Sequence, residues 1–307
     1  MELEKGVQRW IVDISNWKPS PHHFNLAITL LPFHEHSSIT RFVKLEDRKR
    51  ALVSRLLQYA LVHQVLGIPF DEIIIRRTPE GKPFLVCDSV KSGFPNFNFN
   101  VSHHGDYVAI ASEPICVVGL DIVSHSVPVN ETADEFIQCF SSYFSNLEWC
   151  NIFSASSSDE MLRVFYRYWC LKEAFVKAIG SGVGHKLDDV EFHHINWDNI
   201  FVKLAGKELK DWKFWLLELE DNHSVSIARG HPWTAISSYM TTLKQTDFND
   251  DEEHNTGLHL PNPSFTFLTV DDLVRLWGND ISREFLVSDK DEIEEASSCI
   301  EIIRSMK

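Results

Sequence analysis

The stretch Ile115-Cys116-Val117-Val118-Gly119-Leu120-Asp121-Ile122-Val123 is almost continuously apolar and contains one carboxylate. Runs of this kind are strands covered on both faces, so the fold must supply two layers around it. A carboxylate inside such a strand is costly unless it is paired, hydrogen-bonded or bound to a cation. Asp121 therefore needs a partner, either as a strand-end cap or as part of a charged site.

A candidate partner lies about fifty residues further on. Met161 to Ile179 has helical periodicity, with Leu171, Ala174, Phe175 and Ala178 on one apolar face. Trp169, Glu173 and Lys177 recur every four residues on another face, so an acid and a base stand one turn apart. Gly180, Gly182 and Gly184 then stop the helix. As an exposed ion pair, Glu173 and Lys177 are worth only about 0.3–0.5 kcal/mol. As a site they need Asp121.

Composition narrows the function classes. The chain has 307 residues, 44% hydrophobic and 12% aromatic, which allows a sizeable core in one or two domains. No apolar run approaches the ~20 residues of a membrane span, and the N-terminus has no signal or transit character. A cytoplasmic protein without a membrane partner is expected, or a mitochondrial or other organellar one if a targeting segment precedes this sequence. The six cysteines, Cys87, Cys116, Cys139, Cys150, Cys170 and Cys299, form no C-x-x-C pair and read as free thiols. The pairs His22-His23, His103-His104 and His193-His194 lack zinc spacing with cysteine. A net charge of -15 argues against nucleic acid. From Asp247 onward there are 15 acidic and 5 basic residues, so most of that excess lies in the tail and the body is nearer neutral.

In chain order, Trp10-Ile11-Val12 and Phe24 to Ile28 read as strands, and Ala51 to Leu66 as a helix ended by Gly67-Ile68-Pro69. Phe70 to Ile75 reads as a β-branched strand. Arg76 to Phe84 is a turn with cations beside Gly81, open to a phosphate or simply solvated. Phe97 to His103 alternates as a strand entering a polar loop, and Tyr107 to Ala111 is another strand. Asp134 to Phe153 is helical and aromatic-rich. Strands are expected at Asp189 to Phe192, Phe201 to Leu204, Trp212 to Leu219 and Ser224 to Ala228. A helix followed by antiparallel strands thus occurs twice, a weak repeat of about 110 residues. Beyond Lys244, the acidic runs Asn249 to Asn255 and Asp289 to Glu295 flank a short helix at Asp271 to Trp277, a charged and partly disordered appendage.

Two carboxylates, with no thiol and no persuasive imidazole ligand, suit a hard cation such as Mg²⁺ or Mn²⁺ completed by water and substrate phosphate. Beside basic residues, that arrangement moves or leaves phosphate groups.

These residues carry a resemblance. Phe97 to Tyr107 (FNFNVSHHGDY), Gly119-Leu120-Asp121 and Trp169 to Gly180 (WCLKEAFVKAIG) resemble the 4′-phosphopantetheinyl transferases of the Sfp type, and most of all the eukaryotic aminoadipate-semialdehyde dehydrogenase phosphopantetheinyl transferase group. The similarity runs from about Trp10 to Arg229. It implies an α+β fold, a pseudodimer of two similar halves (1–118 and 119–244) with coenzyme A in the cleft, followed by the acidic extension 245–307. It also implies transfer of 4′-phosphopantetheine from coenzyme A to a serine of an acyl or peptidyl carrier protein, with release of 3′,5′-ADP, by a monomer.

The resemblance assigns Mg²⁺ to Asp121 and Glu173, base catalysis to Glu173, and stabilisation of phosphate charge to Lys177. Ser102 and His103 would line the coenzyme A site with Asn100, while Arg77 and Lys82 would hold its nucleotide end. Arg41 is the remaining cationic contact, with Lys44 and Arg48 as alternatives. His104 is expected to face solvent. The family frequently has a second carboxylate two residues after G-x-D, where this chain has Val123. Residues i and i+2 share a strand face, so that ligand is replaced by water here. A chain that binds coenzyme A or a carrier without catalysis is the alternative that Val123 raises. Acceptors that fit include a fatty-acid synthase carrier, a mitochondrial-type carrier and an aminoadipate-reductase-like enzyme.

Overall fold

A computed structural model describes residues 2–86, 94–220, 222–243 and 251–278. Cys87, Cys299 and the acidic run 289–295 lie outside the described residues. Contacts divide the chain into two compact units that interleave in sequence. The first is Met1–Trp10, Ile73–Gly105 and Ala109–Phe265; the second is Ile11–Glu72, Asp106–Val108 and Thr266–Lys307.

The chain enters through β1 (Gln8–Asp13) and then forms α1 (Pro21–Thr29), α2 (Phe33–Thr40) and α3 (Leu45–Leu66). The strand expected at Phe24 to Ile28 is therefore a helix. Ser20 accepts from the His23 N–H as its cap, Pro21 takes the first turn, and Phe24, Ala27 and Ile28 are buried at helical spacing. Gly67 ends α3 in the left-handed conformation at φ 66°. The strand expected from Phe70 is also shorter than the sequence implies. Phe70–Glu72 is a 3₁₀ turn after Pro69, and β2 (Ile75–Arg77) begins only at Ile75.

Most of the remaining strands belong to the first unit. β2 pairs antiparallel with β3 (Pro83–Leu85). β4 (Asn98–His104) and β5 (Tyr107–Glu113) are neighbours in one sheet, while β6 (Val117–Ser124) is the outer strand of another. Next come α4 (Ala133–Gln138), α5 (Asn146–Phe153) and α6 (Ser158–Ile179). Capping boxes at Thr132/Glu135 and Ser145/Glu148 start the first two, and Ser157 caps α6. β7 (Val190–Ile195), β8 (Asp198–Leu204) and β9 (Lys207–Glu208) form a small antiparallel sheet. β10 (Trp212–Leu219) and β11 (His223–Gly230) complete the sheet of β6 in the order β10-β11-β6, and α7 (Ser237–Met240) follows. α6 lies on this sheet, burying Leu171, Ala174, Phe175 and Ala178 with Val117, Phe192 and Trp212 in one core. The mixture of separate antiparallel sheets and helices is α+β.

Part of the expected appendage is built into the fold. α8 (Asp251–Leu258) is followed by a segment whose Leu258, Leu260 and Pro261 carbonyls accept from the buried Arg229 guanidinium, while Arg9 donates to Asn262 Oδ1 at 3.0 Å. Glu113 sits between the two guanidiniums, so the charge is paired in the interior. In the second unit, β12 (Thr266–Leu268) precedes α9 (Val270–Arg275), which buries Val270, Leu273 and Val274. The acidic composition hides these few, correctly spaced apolar residues.

Candidate active site

The alternation Asn98-Phe99-Asn100-Val101-Ser102 places three short polar side chains on one side of β4. They meet β6 rung by rung. Asn98 Oδ1 accepts the Val118 N–H at 3.0 Å, Asn100 Oδ1 the Leu120 N–H at 2.8 Å, and Ser102 Oγ the Ile122 N–H at 3.3 Å. Two outer strands are thus joined by side chains rather than by a backbone ladder. At the last rung, Ser102 Oγ also donates to Asp121 Oδ1 at 3.0 Å. This bond, with Lys177, answers the demand that the sequence makes of Asp121, which is 6% exposed.

Gly119 brings the helix to the strand. A Cβ at this position would lie 1.8 Å from the Ala174 carbonyl oxygen and 2.5 Å from the Ala178 nitrogen. Only glycine permits α6 to approach β6 this closely, and the approach delivers Glu173 and Lys177 to Asp121. Lys177 Nζ lies 2.6 Å from Asp121 Oδ1 and 3.0 Å from Ser102 Oγ. Burial, and then the neighbouring Asp121 charge, push the Glu173 carboxyl above its ordinary range, with Lys177 opposing. Burial alone would lower the Lys177 ammonium, but the charge and hydrogen bond of Asp121 raise it overall.

These groups line a cavity of about 700 Å³. Asn100, Ser102, His103, Asp121, Glu173 and Lys177 all border it, as do Arg77 and Lys82 from the β2–β3 turn. His103 and His104 are both exposed, and both reach the lining. Two of the expected ligand contacts are committed elsewhere. Asn100 gives its Oδ1 to the Leu120 N–H. Lys82, 6% exposed, donates to the Val118 carbonyl at 2.8 Å and the Lys177 carbonyl at 2.5 Å, with its ammonium 4.6 Å from the Tyr239 ring centre. Burial, reinforced by Lys177, pushes Lys82 down to about 7. Arg77 donates to the Gly81 carbonyl at 2.9 Å across its own turn. Arg41 belongs to the second unit, where it follows α2, is exposed and lies over the Phe42 ring.

The structure places in the cavity aromatic residues to which the sequence reading gave no role. Phe136, Phe140, Phe165 and Trp169 line the same cavity, with Phe140 and Trp169 edge-to-face at 5.2 Å. The i, i+4 spacing of Phe165 and Trp169 on α6, and the same spacing of Phe136 and Phe140 at the end of α4, was the available signal. Lys172, next to Glu173, faces the opposite way. It is fully buried against Glu148 at 2.8 Å and donates to the Leu187 and Val190 carbonyls.

Known families match this arrangement in two contiguous pieces. Residues 15–115 match the profile described as 4′-phosphopantetheinyl transferase, N-terminal, and residues 117–228 match that of the 4′-phosphopantetheinyl transferase superfamily. The chain belongs to the 4′-phosphopantetheinyl transferase superfamily. It is 38% identical over 236 residues to the rat L-aminoadipate-semialdehyde dehydrogenase-phosphopantetheinyl transferase, covering 74% of this chain and 76% of that one. It is 32% identical over 232 residues to a phosphopantetheinyl transferase of Thraustochytrium, covering 74% and 79%.

As a phosphopantetheinyl transferase, the chain offers a donor set that fits a hard divalent cation. Two coupled carboxylates and a hydroxyl share one cavity, and the nearby Cys170 thiol is turned to the Asp121 and Ser224 carbonyls. Among the described residues no group of three or more His, Cys, Asp or Glu could hold a metal, and Val123 lines the cavity beside Asp121. The cavity of this transferase therefore presents two carboxylates, those of Asp121 and Glu173. No helix among its described residues is long and apolar enough to cross a membrane.

Proposed function

We propose that the cavity binds coenzyme A with Mg²⁺, or Mn²⁺, and that the chain transfers its 4′-phosphopantetheine to a serine of an acyl or peptidyl carrier protein. The observation that carries this is the convergence of Asp121, Glu173 and Lys177 in one cavity. The metal, held by Asp121 and Glu173, would neutralise charge on the pyrophosphate. Glu173, whose raised pKa makes it a better proton acceptor than an ordinary glutamate, takes the proton of the serine hydroxyl directly or through water. The serine oxygen then bonds to the phosphorus carrying the pantetheine arm. The bond from that phosphorus to the bridging oxygen breaks, and 3′,5′-ADP leaves with the electron pair. Lys177 stabilises the charge that develops on the phosphate oxygens.

Ser102 holds Asp121 in place, His103 and Arg77 are exposed side chains of the lining that turn to phosphate, and the aromatic lining excludes water from the arm. Lys82 and Asn100 serve the site by fixing its walls. Arg41 is assigned to coenzyme A on family resemblance alone, as is the pseudodimer of halves 1–118 and 119–244.

The test is to incubate the protein with coenzyme A, Mg²⁺ and a panel of apo carrier proteins, and to weigh the carriers by mass spectrometry. Wild type should add one phosphopantetheine to at least one acceptor, and Glu173→Gln should add none while remaining folded. A protein that binds coenzyme A but releases no 3′,5′-ADP with any carrier belongs to the non-catalytic alternative raised by Val123.

A further inference from the structure

Asp121 presents the same oxygen, Oδ1, to two donors, the Lys177 ammonium at 2.6 Å and the Ser102 hydroxyl at 3.0 Å. Lys177 also donates to Ser102, so the three side chains close a ring of hydrogen bonds. Lys177 is the better solvated member of the ion pair, its side chain 29% exposed against 8% for Asp121. The ammonium can therefore swing away from Asp121, whereas the carboxylate is fixed on its strand.

The charges in this half-buried space are two carboxylates and one ammonium. A divalent cation arriving alone would bring the positive total to three against two negative charges. A cation arriving with a pyrophosphate brings its own negative charge, and the phosphate gives the displaced ammonium a new partner.

We infer that Lys177 acts as a resident counter-cation at Asp121, making metal binding conditional on coenzyme A. This rests on the transferase reading above and adds a second role to Lys177: it holds the metal site closed until the phosphates arrive. Val123 sharpens the effect. With a third carboxylate at that position, three negative charges would balance the cation and Lys177 together; with valine, one positive charge is left in excess.

The experiment is an electron paramagnetic resonance titration of Mn²⁺ into the coenzyme A-free protein. Wild type and Lys177→Arg should bind Mn²⁺ weakly and alike. Lys177→Met, which keeps the length of the stem and removes the charge, should bind it at least about tenfold more tightly, and Lys177→Gln should do the same. Adding Asp121→Asn to either neutral variant should abolish the gain. With coenzyme A present, the wild-type affinity should rise by a larger factor than that of Lys177→Met. Neutral variants that fold and bind Mn²⁺ no more tightly than wild type overturn the inference, as does a gain that survives Asp121→Asn. The transferase reading is judged separately, by whether the wild-type protein modifies a carrier.

Discussion

Substituting alanine for Gly119 tests whether the contact between α6 and β6 sets the active-site geometry. The new Cβ would sit 1.8 Å from the Ala174 carbonyl oxygen, where ordinary contacts begin near 3.4 Å, so the helix must retreat by about 1.6 Å. Both nearest atoms, at 1.8 and 2.5 Å, are backbone and cannot rotate aside. Overpacking costs typically about 1–3 kcal/mol, and a backbone clash on two sides belongs at the upper end, about 3 kcal/mol. For a domain of this size that lowers the melting temperature by roughly 6–12 °C. The same retreat would pull Lys177 and Glu173 away from Asp121, breaking the 2.6 Å ion pair. Thermal denaturation followed by circular dichroism, together with the carrier mass-shift assay, reads both effects. Gly184→Ala is the matched control, since nothing lies within 4 Å of its would-be Cβ and its backbone is not left-handed. A Gly119→Ala protein that melts within about 2 °C of wild type and modifies carrier at the wild-type rate would refute the claim that this contact builds the site.

Glu173 must be ionised to accept a proton, so the acidic limb of kcat/KM should fall above the ordinary glutamate value of 4.5. Because its folded pKa is raised, Glu173 holds its proton more tightly in the folded chain, and its contribution to stability is lost as pH rises through that pKa. Glu173→Gln should therefore melt higher than wild type at neutral pH while losing activity. Lys82 has the opposite linkage. Lowered to about 7, it sheds its proton on folding between pH 7 and its ordinary 10.5, so stability should rise with pH across that window. Urea titrations of Lys82→Met should show a flatter profile there. Lys172→Met leaves Glu148 buried without its ammonium and should cost about 3–5 kcal/mol, most of which Lys172→Met with Glu148→Leu recovers if the cost is the orphaned charge. Asn100→Ala strands the Leu120 N–H and should cost about 1–3 kcal/mol by the same measurement.

The parts of the fold written in local pattern are visible in the sequence. The apolar run around Asp121, the helical face of Glu173 and Lys177, and the glycine that ends α6 all rest on periods and stops within one segment. Phe24 to Ile28 misleads because its five residues are too short to separate a strand from a helix. The signal that decides it, Ser20-Pro21 as cap and first turn, lies outside them. Lys82 misleads for another reason. As a cation in a Pro-Gly turn it looks solvated or phosphate-bound, yet its partners are carbonyls 36 and 95 residues away. Asn100 likewise shows its strand but not what its amide faces. The family resemblance supplied the convergence of Asp121 with Glu173 and Lys177, which no single-segment pattern contains; the close approach at Gly119 supplies its cause.

The side-chain rungs between β4 and β6 also bear on solubility. An outer strand is a template on which another chain can add, and β6 is long and apolar. Asn98, Asn100 and Ser102 occupy the N–H groups that such a chain would need. The same polar alternation that ends at the active site therefore seals a sticky edge. Replacing both asparagines with alanine should leave a protein that self-associates through β6, visible as concentration-dependent growth in light scattering before any loss of helical signal.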